Sequence, residues 1–228
     1  MKLPDHIYHL AEAANWPSIQ RHGLLSASRL ISAAGVIGDD RDRLERTQRV
    51  AHTALPNGVQ IRDQKPMPAQ ALERCLVDLT PPEWYRLVNN QVFFWLDPER
   101  LNRQKAACAP RPQIVIALDT ATLVAAYGEH MAVTPINTGN ARRNPARRGA
   151  ATFVPFAKWV TSGWVTEANA LGSPLRKRSH RPIELTILDA VPDMMRFVVD
   201  VVRLETSQPF VSKAKRSVGF LKMKGTSP

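Results

Sequence analysis

Glu184 sits in an apolar run of strand character, Ile183-Glu184-Leu185-Thr186-Ile187-Leu188. A carboxylate in such a run is costly to bury unless it has a partner or a task. Its chemistry would be to stabilise developing positive charge or to accept a proton from a nucleophile. The plain alternative is an outward-facing strand residue, because Glu184 alternates with Ile183 and Leu185. His9, in His6-Ile7-Tyr8-His9-Leu10, is a second candidate, with a satisfied buried histidine as its ordinary alternative. Arg62 could pair with phosphate or hold the glutamate in place; a surface salt bridge to Asp63 would explain it equally well. Phe93, Phe94 and Trp95 offer rings for stacking, although at least two of the three are expected in a core. Two basic stretches complete the set. Arg142, Arg143, Arg147 and Arg148 lie among turn-forming residues of 135–149, and Arg176, Lys177 and Arg178 directly precede the Glu184 run. Guanidinium groups in such loops can pair bidentately with phosphate, whereas a solvated loop would carry the same residues idly.

The elements that must position these groups are short. Asn15-Trp16-Pro17-Ser18-Ile19 begins a brief helix, with Pro in its first turn and Gly23 past its end before Leu24-Leu25. An exposed, charge-rich helix is expected after the Gly35–Gly38 loop, within the polar 28–49 segment. Val59-Gln60-Ile61-Arg62 reads as a brief strand after the Pro56-Asn57-Gly58 turn. Helices are predicted over 68–76 and from Pro81, capped by Thr80. Gln91 to Leu96 is the most strongly β-forming run of the chain. A helix over 101–108, a buried strand over 113–118, a helical segment over 120–127 and strands at 183–188 and 195–204 complete the pattern. Short strands mixed with short helices, without regular βαβ alternation, argue for α+β.

Composition narrows the functional classes. The 228 residues, 44% of them hydrophobic, suffice for one good core. A formal net charge of +11 points to a polyanionic partner; free use of Arg is the alternative. Cys75 and Cys108 have no metal-ligand spacing and read as buried reduced thiols, so the cytoplasm is the expected compartment. No leader is visible, and no apolar run approaches the ~20 residues of a membrane span. No metal site is expected.

In chain order, the motifs resemble the ADP-ribosyltransferase fold and, within it, the DarT-like toxins. The Tyr8-His9 strand, the short helix and the Gly23-Leu24 turn are similar to the opening of that family. Arg62 looks like its arginine, Val92-Phe93-Phe94-Trp95 like its aromatic strand, and Pro182-Ile183-Glu184-Leu185 with Val191-Pro192 like its glutamate strand. Arg62-Asp63-Gln64, Val92-Phe93-Phe94-Trp95 and Ile136-Asn137-Thr138-Gly139 are closer still to an uncharacterised bacterial family of this type. Leu10, where DarT-like proteins carry a small hydroxyl residue, and the 137–149 insert depart from the DarT pattern and bear on the substrate.

The resemblance implies one ADP-ribosyltransferase-like domain over 1–228, a split β-sandwich of two small antiparallel sheets with a basic insert around 135–150. It implies NAD as donor substrate, Glu184 and Arg62 as catalytic residues, and Tyr8, His9, Gly23, Leu24, Phe93, Phe94 and Trp95 at the cofactor. His9 would hold the adenosine-side ribose, and the aromatic rings would stack on nicotinamide. Nucleic acid is the expected acceptor, held by the two basic stretches. A toxin or phage-defence role with an antitoxin or immunity partner follows from the resemblance. The alternatives are a protein acceptor, a non-catalytic nucleic-acid-binding protein on the same fold, and tRNA 2′-phosphotransfer, which would need basic residues around His9 and Arg62 and no dominant carboxylate.

Overall fold

The computed structural model describes residues 2–62, 68–140, 145–205 and 208–212. Its strands are β1 His6–Glu12, β2 Leu24–Leu25, β3 Thr53–Ala54, β4 Gln60–Ile61, β5 Gln91–Trp95, β6 Gln113–Asp119, β7 Met131–Thr134, β8 Val154–Pro155, β9 Glu184–Leu188, β10 Ala190–Val191 and β11 Val198–Leu204. Between them lie α1 Trp16–His22, α2 Ala27–Ala33, α3 Gly38–Arg46, α4 Ala69–Cys75, α5 Pro81–Asn89, α6 Pro98–Ala107, α7 Thr120–Tyr127, α8 Phe156–Ser162 and α9 Val165–Leu171. Helices and strands are mixed along the chain. None of the described helices is long and apolar enough to cross a membrane.

Local chemistry accounts for several of these boundaries. The Asp97 carboxylate accepts from the Arg100 amide, so α6 begins at Pro98, three residues before the expected start. Glu83 accepts the Thr80 amide at 2.7 Å, the return bond of a capping box that opens α5. The expected strand over 195–204 is shorter: Met194–Phe197 is a 3-10 turn, and the strand runs from Val198.

The expectation of two small sheets is replaced by one seven-stranded sheet in the order β11-β6-β1-β5-β9-β7-β8, with neighbours antiparallel throughout. Its two halves are nevertheless almost separate. β1 pairs with β6 at seven positions, His6 with Asp119 through Glu12 with Gln113, but with β5 at Tyr8–Trp95 alone. The row continues across the sheet, because Trp95 pairs with Glu184 and Glu184 with Thr134. Directly opposed residues share a face, so Tyr8, Trp95, Glu184 and Thr134 form one cross-strand line.

Apolar alternation buries both faces. Ile7, Phe94, Ile116, Leu185, Ile187 and Val133 lie on one side with Trp159, Trp164 and Phe197. Tyr8, Leu10, Trp95, Leu101, Val115, Leu204 and Phe210 pack on the other. β6 is buried from Gln113 to Leu118, as a strand covered on both faces must be.

Two remote sequence motifs meet at Gly23. β2 and β10 pair through Leu24–Val191 and Leu25–Ala190, which brings the Gly-Leu turn against the Val191-Pro192 segment. Gly23 has a φ of +73°, and a Cβ there would lie 2.2 Å from the Val191 carbonyl oxygen. Gly58 has a φ of +81° but open space around it. Gly58→Ala should therefore lose about 1 kcal/mol of stability from backbone strain alone. Gly23→Ala should lose about 3 kcal/mol or more, because a steric clash with backbone adds to the strain. Urea denaturation of the two variants measures the difference; equal losses would show that the β2–β10 contact is slack.

Candidate active site

The residues that would extend the β1–β5 ladder beyond Tyr8–Trp95 instead line a cleft of about 610 Å³: His9, Leu10, Ala11 and Glu12 from β1, and Gln91, Val92 and Phe93 from β5. This size suits a small organic ligand. His9 spans the gap, its Nδ1 lying 2.9 Å from the Phe93 carbonyl oxygen. A carbonyl only accepts, so Nδ1 carries the proton in that bond. Burial lowers the His9 pKa to about 4, the carbonyl bond opposes the fall, and the Arg62 charge adds to it. The ring is therefore neutral at pH 7, and its Nε2 is an acceptor beside the cleft.

Glu184 reaches the same cleft from β9, on the far side of β5. The residue is only 4% exposed. Its Oε2 accepts from Thr134 Oγ1 at 3.1 Å, the Thr138 amide at 3.2 Å and Thr138 Oγ1 at 3.0 Å. Oε1 carries no hydrogen bond among the described residues, so one oxygen is held and the other is not. Burial pushes the carboxyl up to about 7, against the pull of these donors and of the Arg148 charge. The group titrates in the range suited to a base near neutrality.

Arg62, for which phosphate, Glu184 and Asp63 stood as alternative partners, is bound to Glu12 and Gln113. Its Nε donates to Glu12 Oε1 at 2.9 Å and its Nη2 to Gln113 Oε1 at 3.0 Å. Glu12, itself buried, is also paired with Arg111 at 3.3 Å. These contacts fix Arg62 on the cleft wall and leave it no hydrogen bond to Glu184. Asp63 and Gln64, its neighbours in the sequence motif, lie outside the described residues.

Residues 5–198 match DUF7002, a family of unknown function. The chain belongs to that family. No curated protein matches the sequence. Among solved structures, this DUF7002 member is similar to Thermosipho africanus DarTG in complex with ADP-ribose, at 11% identity and a TM-score of 0.40, over 87% of this chain and 43% of that one. It is similar to Thermus sp. 2.9 DarT in complex with NAD+ at 13% identity and 0.37, over 99% and 93% of the two chains. The same Thermus protein in complex with ADP-ribosylated ssDNA gives 13% and 0.39, over 99% and 92%. The chain thus spans less than half of the Thermosipho protein.

Several expected site residues of the DUF7002 chain do gather. His9, Gly23, Leu24, Arg62, Phe93, Trp95 and Glu184 all line the cleft. Tyr8 and Phe94 do not, which corrects the expectation for both. Tyr8 packs into the second core, where its hydroxyl meets Ser212, and Phe94 is completely buried in the first. Of the basic residues, Arg147, Lys177 and Arg178 are exposed, and Arg142 and Arg143 lie outside the described residues. Arg176 is half-buried, with Nη2 3.5 Å from the buried carboxylate of Glu167. Arg148 is a second correction. It is 1% exposed, with its guanidinium on three backbone carbonyls and over the Trp84 ring, so it offers nothing to a polymer in solvent. Thr134, Thr138, Glu12 and Gln113 went unnoticed in the sequence. The signal for Thr138 was the Ile136-Asn137-Thr138-Gly139 segment, which reads as loop and supplies two donors to Glu184.

Glu184 and His9 should make opposed contributions to stability. Glu184 is raised from 4.5 to about 7, so its stabilising contribution is complete below pH 4.5 and is lost as pH rises to 7. His9 is lowered from 6.5 to about 4, so its contribution is complete above 6.5 and is lost as pH falls towards 4. The two slopes nearly cancel over the shared window. Glu184→Gln removes the falling contribution and should gain up to about 3 kcal/mol on the wild type between pH 4.5 and 7. His9→Asn should lose ground against the wild type as pH rises from 4 to 6.5. Urea denaturation across this range checks both signs.

Proposed function

We propose that the protein is an ADP-ribosyltransferase that consumes NAD and modifies nucleic acid. The observation that carries the reading is the opening of His9 and Glu184, from opposite sides of β5, into one cleft. The divergence of the two half-sheets at Tyr8–Trp95 supports a split ADP-ribosyltransferase-like sheet. The cleft residues fit NAD. The neutral His9 Nε2 can accept from a ribose hydroxyl, Phe93 presents a half-buried ring, and Arg62 sets a cation beside them for pyrophosphate. When bound, NAD supplies a glycosidic bond whose cleavage builds positive charge on the ribose ring, as in glycoside hydrolysis. Ionised Glu184 stabilises that charge and takes the proton from the incoming nucleophile. Arg62 is fixed by Glu12 and acts on the donor and not through the glutamate. A carboxylate so placed argues against 2′-phosphotransfer.

The acceptor reading rests on charge and proximity. The chain carries a formal charge of +11. Arg147, the exposed described arginine of the first stretch, has its guanidinium against Gly172, at the head of the segment that bears Lys177 and Arg178. That segment is tied beside the Glu184 strand: His180 Nε2 donates to the Pro135 carbonyl at 3.0 Å, and the Ile183 amide to the Thr134 carbonyl at 2.8 Å. A toxin or defence role with an antitoxin or immunity partner would follow from the same reading.

Nicotinamide release from NAD, followed with separate DNA, RNA and protein pools, tests the reaction. Glu184→Gln should cut release ~100-fold or more with NAD affinity nearly kept, whereas His9→Ala should weaken NAD binding. Because the carboxylate must be ionised, the wild-type rate should rise with pH to a plateau above about 7. Nucleic-acid binding without any nicotinamide release would favour a non-catalytic binding protein.

Neutralising Arg147, Lys177 and Arg178 together should weaken binding to all sequences alike and flatten the log–log salt slope by about 2 to 3. Hydrolysis of NAD by water should survive. Unchanged affinity and slope would move the acceptor to protein.

A further inference from the structure

We infer that Arg148 and Thr138 are positioning residues that hold Glu184 as a carboxylate, with Arg148 fixing the loop and Thr138 presenting the donors. The inference rests on the reading of Glu184 as the reacting carboxylate and adds how that group is kept in place. Arg148 is anchored by backbone as well as side chain. Its amide donates to the Cys75 carbonyl at 2.8 Å, and its own carbonyl accepts the Val77 amide at 2.8 Å. From there the side chain runs inward over the Trp84 ring, with its guanidinium carbon 5.6 Å from the ring centre. Nε donates to the Ala146 carbonyl at 3.2 Å, Nη1 to Thr138 at 3.2 Å and Nη2 to Asn140 at 2.9 Å. A buried guanidinium is expensive unless its donors are used, and three carbonyls use them.

The two carbonyls that matter belong to the loop that grips Glu184. Arg148 holds the carbonyls of Thr138 and Asn140, in the peptide units that follow the donating one, while the Thr138 amide and hydroxyl both point at Glu184 Oε2. Thr134 cannot replace them. Its hydroxyl has one proton and two acceptors in reach, Ile136 O at 2.8 Å and Glu184 Oε2 at 3.1 Å. Thr138 is therefore the dependable donor, and donors to the charged form favour ionisation.

Arg148 acts a second time through its charge. Glu184 is faced by Trp95 from β5, Thr134 from β7 and Thr138 from the loop, all uncharged. Among the described residues Arg148 is the charged group whose field reaches it. Burial lowers the Arg148 pKa from its ordinary value, and Cys75 and then Glu184 oppose the fall.

The test follows Glu184 itself. Carbon-13 labelling of glutamate side chains, with the Glu184 signal assigned by its loss in Glu184→Gln, gives its titration midpoint by NMR. The pH profile of nicotinamide release is recorded on the same proteins. Thr138→Ser keeps both donors and should leave the midpoint within a few tenths of a pH unit of wild type. Thr138→Val keeps the shape but not the hydroxyl; its midpoint should rise by about one pH unit, with release at pH 7 falling correspondingly and recovering in part at higher pH. Arg148→Lys keeps the charge but cannot span the carbonyls, so its midpoint should lie between those of wild type and Arg148→Met. An unchanged Glu184 midpoint in Thr138→Val overturns the inference, even where neither Arg148 variant folds. If wild type releases no nicotinamide at any pH, the transferase reading fails, while the NMR midpoints still decide the positioning.

Discussion

Tyr8 and Trp95 make the single backbone pair that joins β1 to β5, and the cleft exists because the ladder stops there. A continuous antiparallel ladder would pair the amides and carbonyls of residues 9–12 with those of 91–94 and leave no room for a ligand. Ending it exposes backbone polar groups, which must find other partners. His9 gives one solution, with its imidazole bonded to the Phe93 carbonyl in place of a strand amide. At the rim Asn15 donates to the Gln60 carbonyl and accepts the Gln60 amide, both at 2.8 Å, so that β4 closes one wall. At Phe93 a side chain thus takes the place of a ladder bond, beside a polar, ligand-sized space.

The protonation states follow from that geometry. His9 is enclosed by the sheet and bonded to a carbonyl, and both the burial and the nearby Arg62 charge disfavour a second proton. Glu184 is buried, which pushes its carboxyl up to about 7, while the two Thr138 donors and the shared Thr134 hydroxyl partly offset the cost of ionisation. A neutral acceptor and an ionisable carboxylate in one cleft therefore arise from the same low-polarity surroundings acting on groups of opposite charge type. Glu12 is the contrasting case. Its two oxygens are taken by Arg62 and Arg111, so from its buried position on the cleft wall it fixes Arg62.

Much of the fold was legible because its elements announce themselves over several residues. β5, β6, α1, α5 and α7 have strong β runs, caps or terminal Pro and Gly. β7, α8 and α9 left no such trace. β7 has four residues and the helices seven each, too short for a period to stand out. In the cleft, Glu184 and His9 had stood out as polar residues in apolar strand runs, while Arg62 and Phe93 entered only through the motifs they share with a known family. Tyr8 and Phe94 were drawn in by adjacency, although the two cores take both of them. The partner of Arg62 was not legible, because Glu12 lies fifty residues away in sequence and only the sheet brings it near.

Arg147 and Arg148 show where composition ceases to inform. They are adjacent in a stretch of one character, and together they contribute two charges to the excess that suggests a polyanion. One lies on the surface against Gly172, while the other is enclosed beneath Trp84. The difference comes from the backbone of 146–149, which runs beside the end of α4: Leu76 and Arg148 form a bridge, and Gly149 packs so closely on the Val77 carbonyl that a Cβ would approach it to 2.5 Å. A chain held that tightly must turn alternate side chains inward and outward, whatever their charge. Net charge therefore overstates the cationic surface, since part of it is enclosed near the carboxylate. The basic stretch is in this sense two devices on one strand of backbone, an outer cation beside the 172–182 segment and an inner one that aims Thr138 at Glu184.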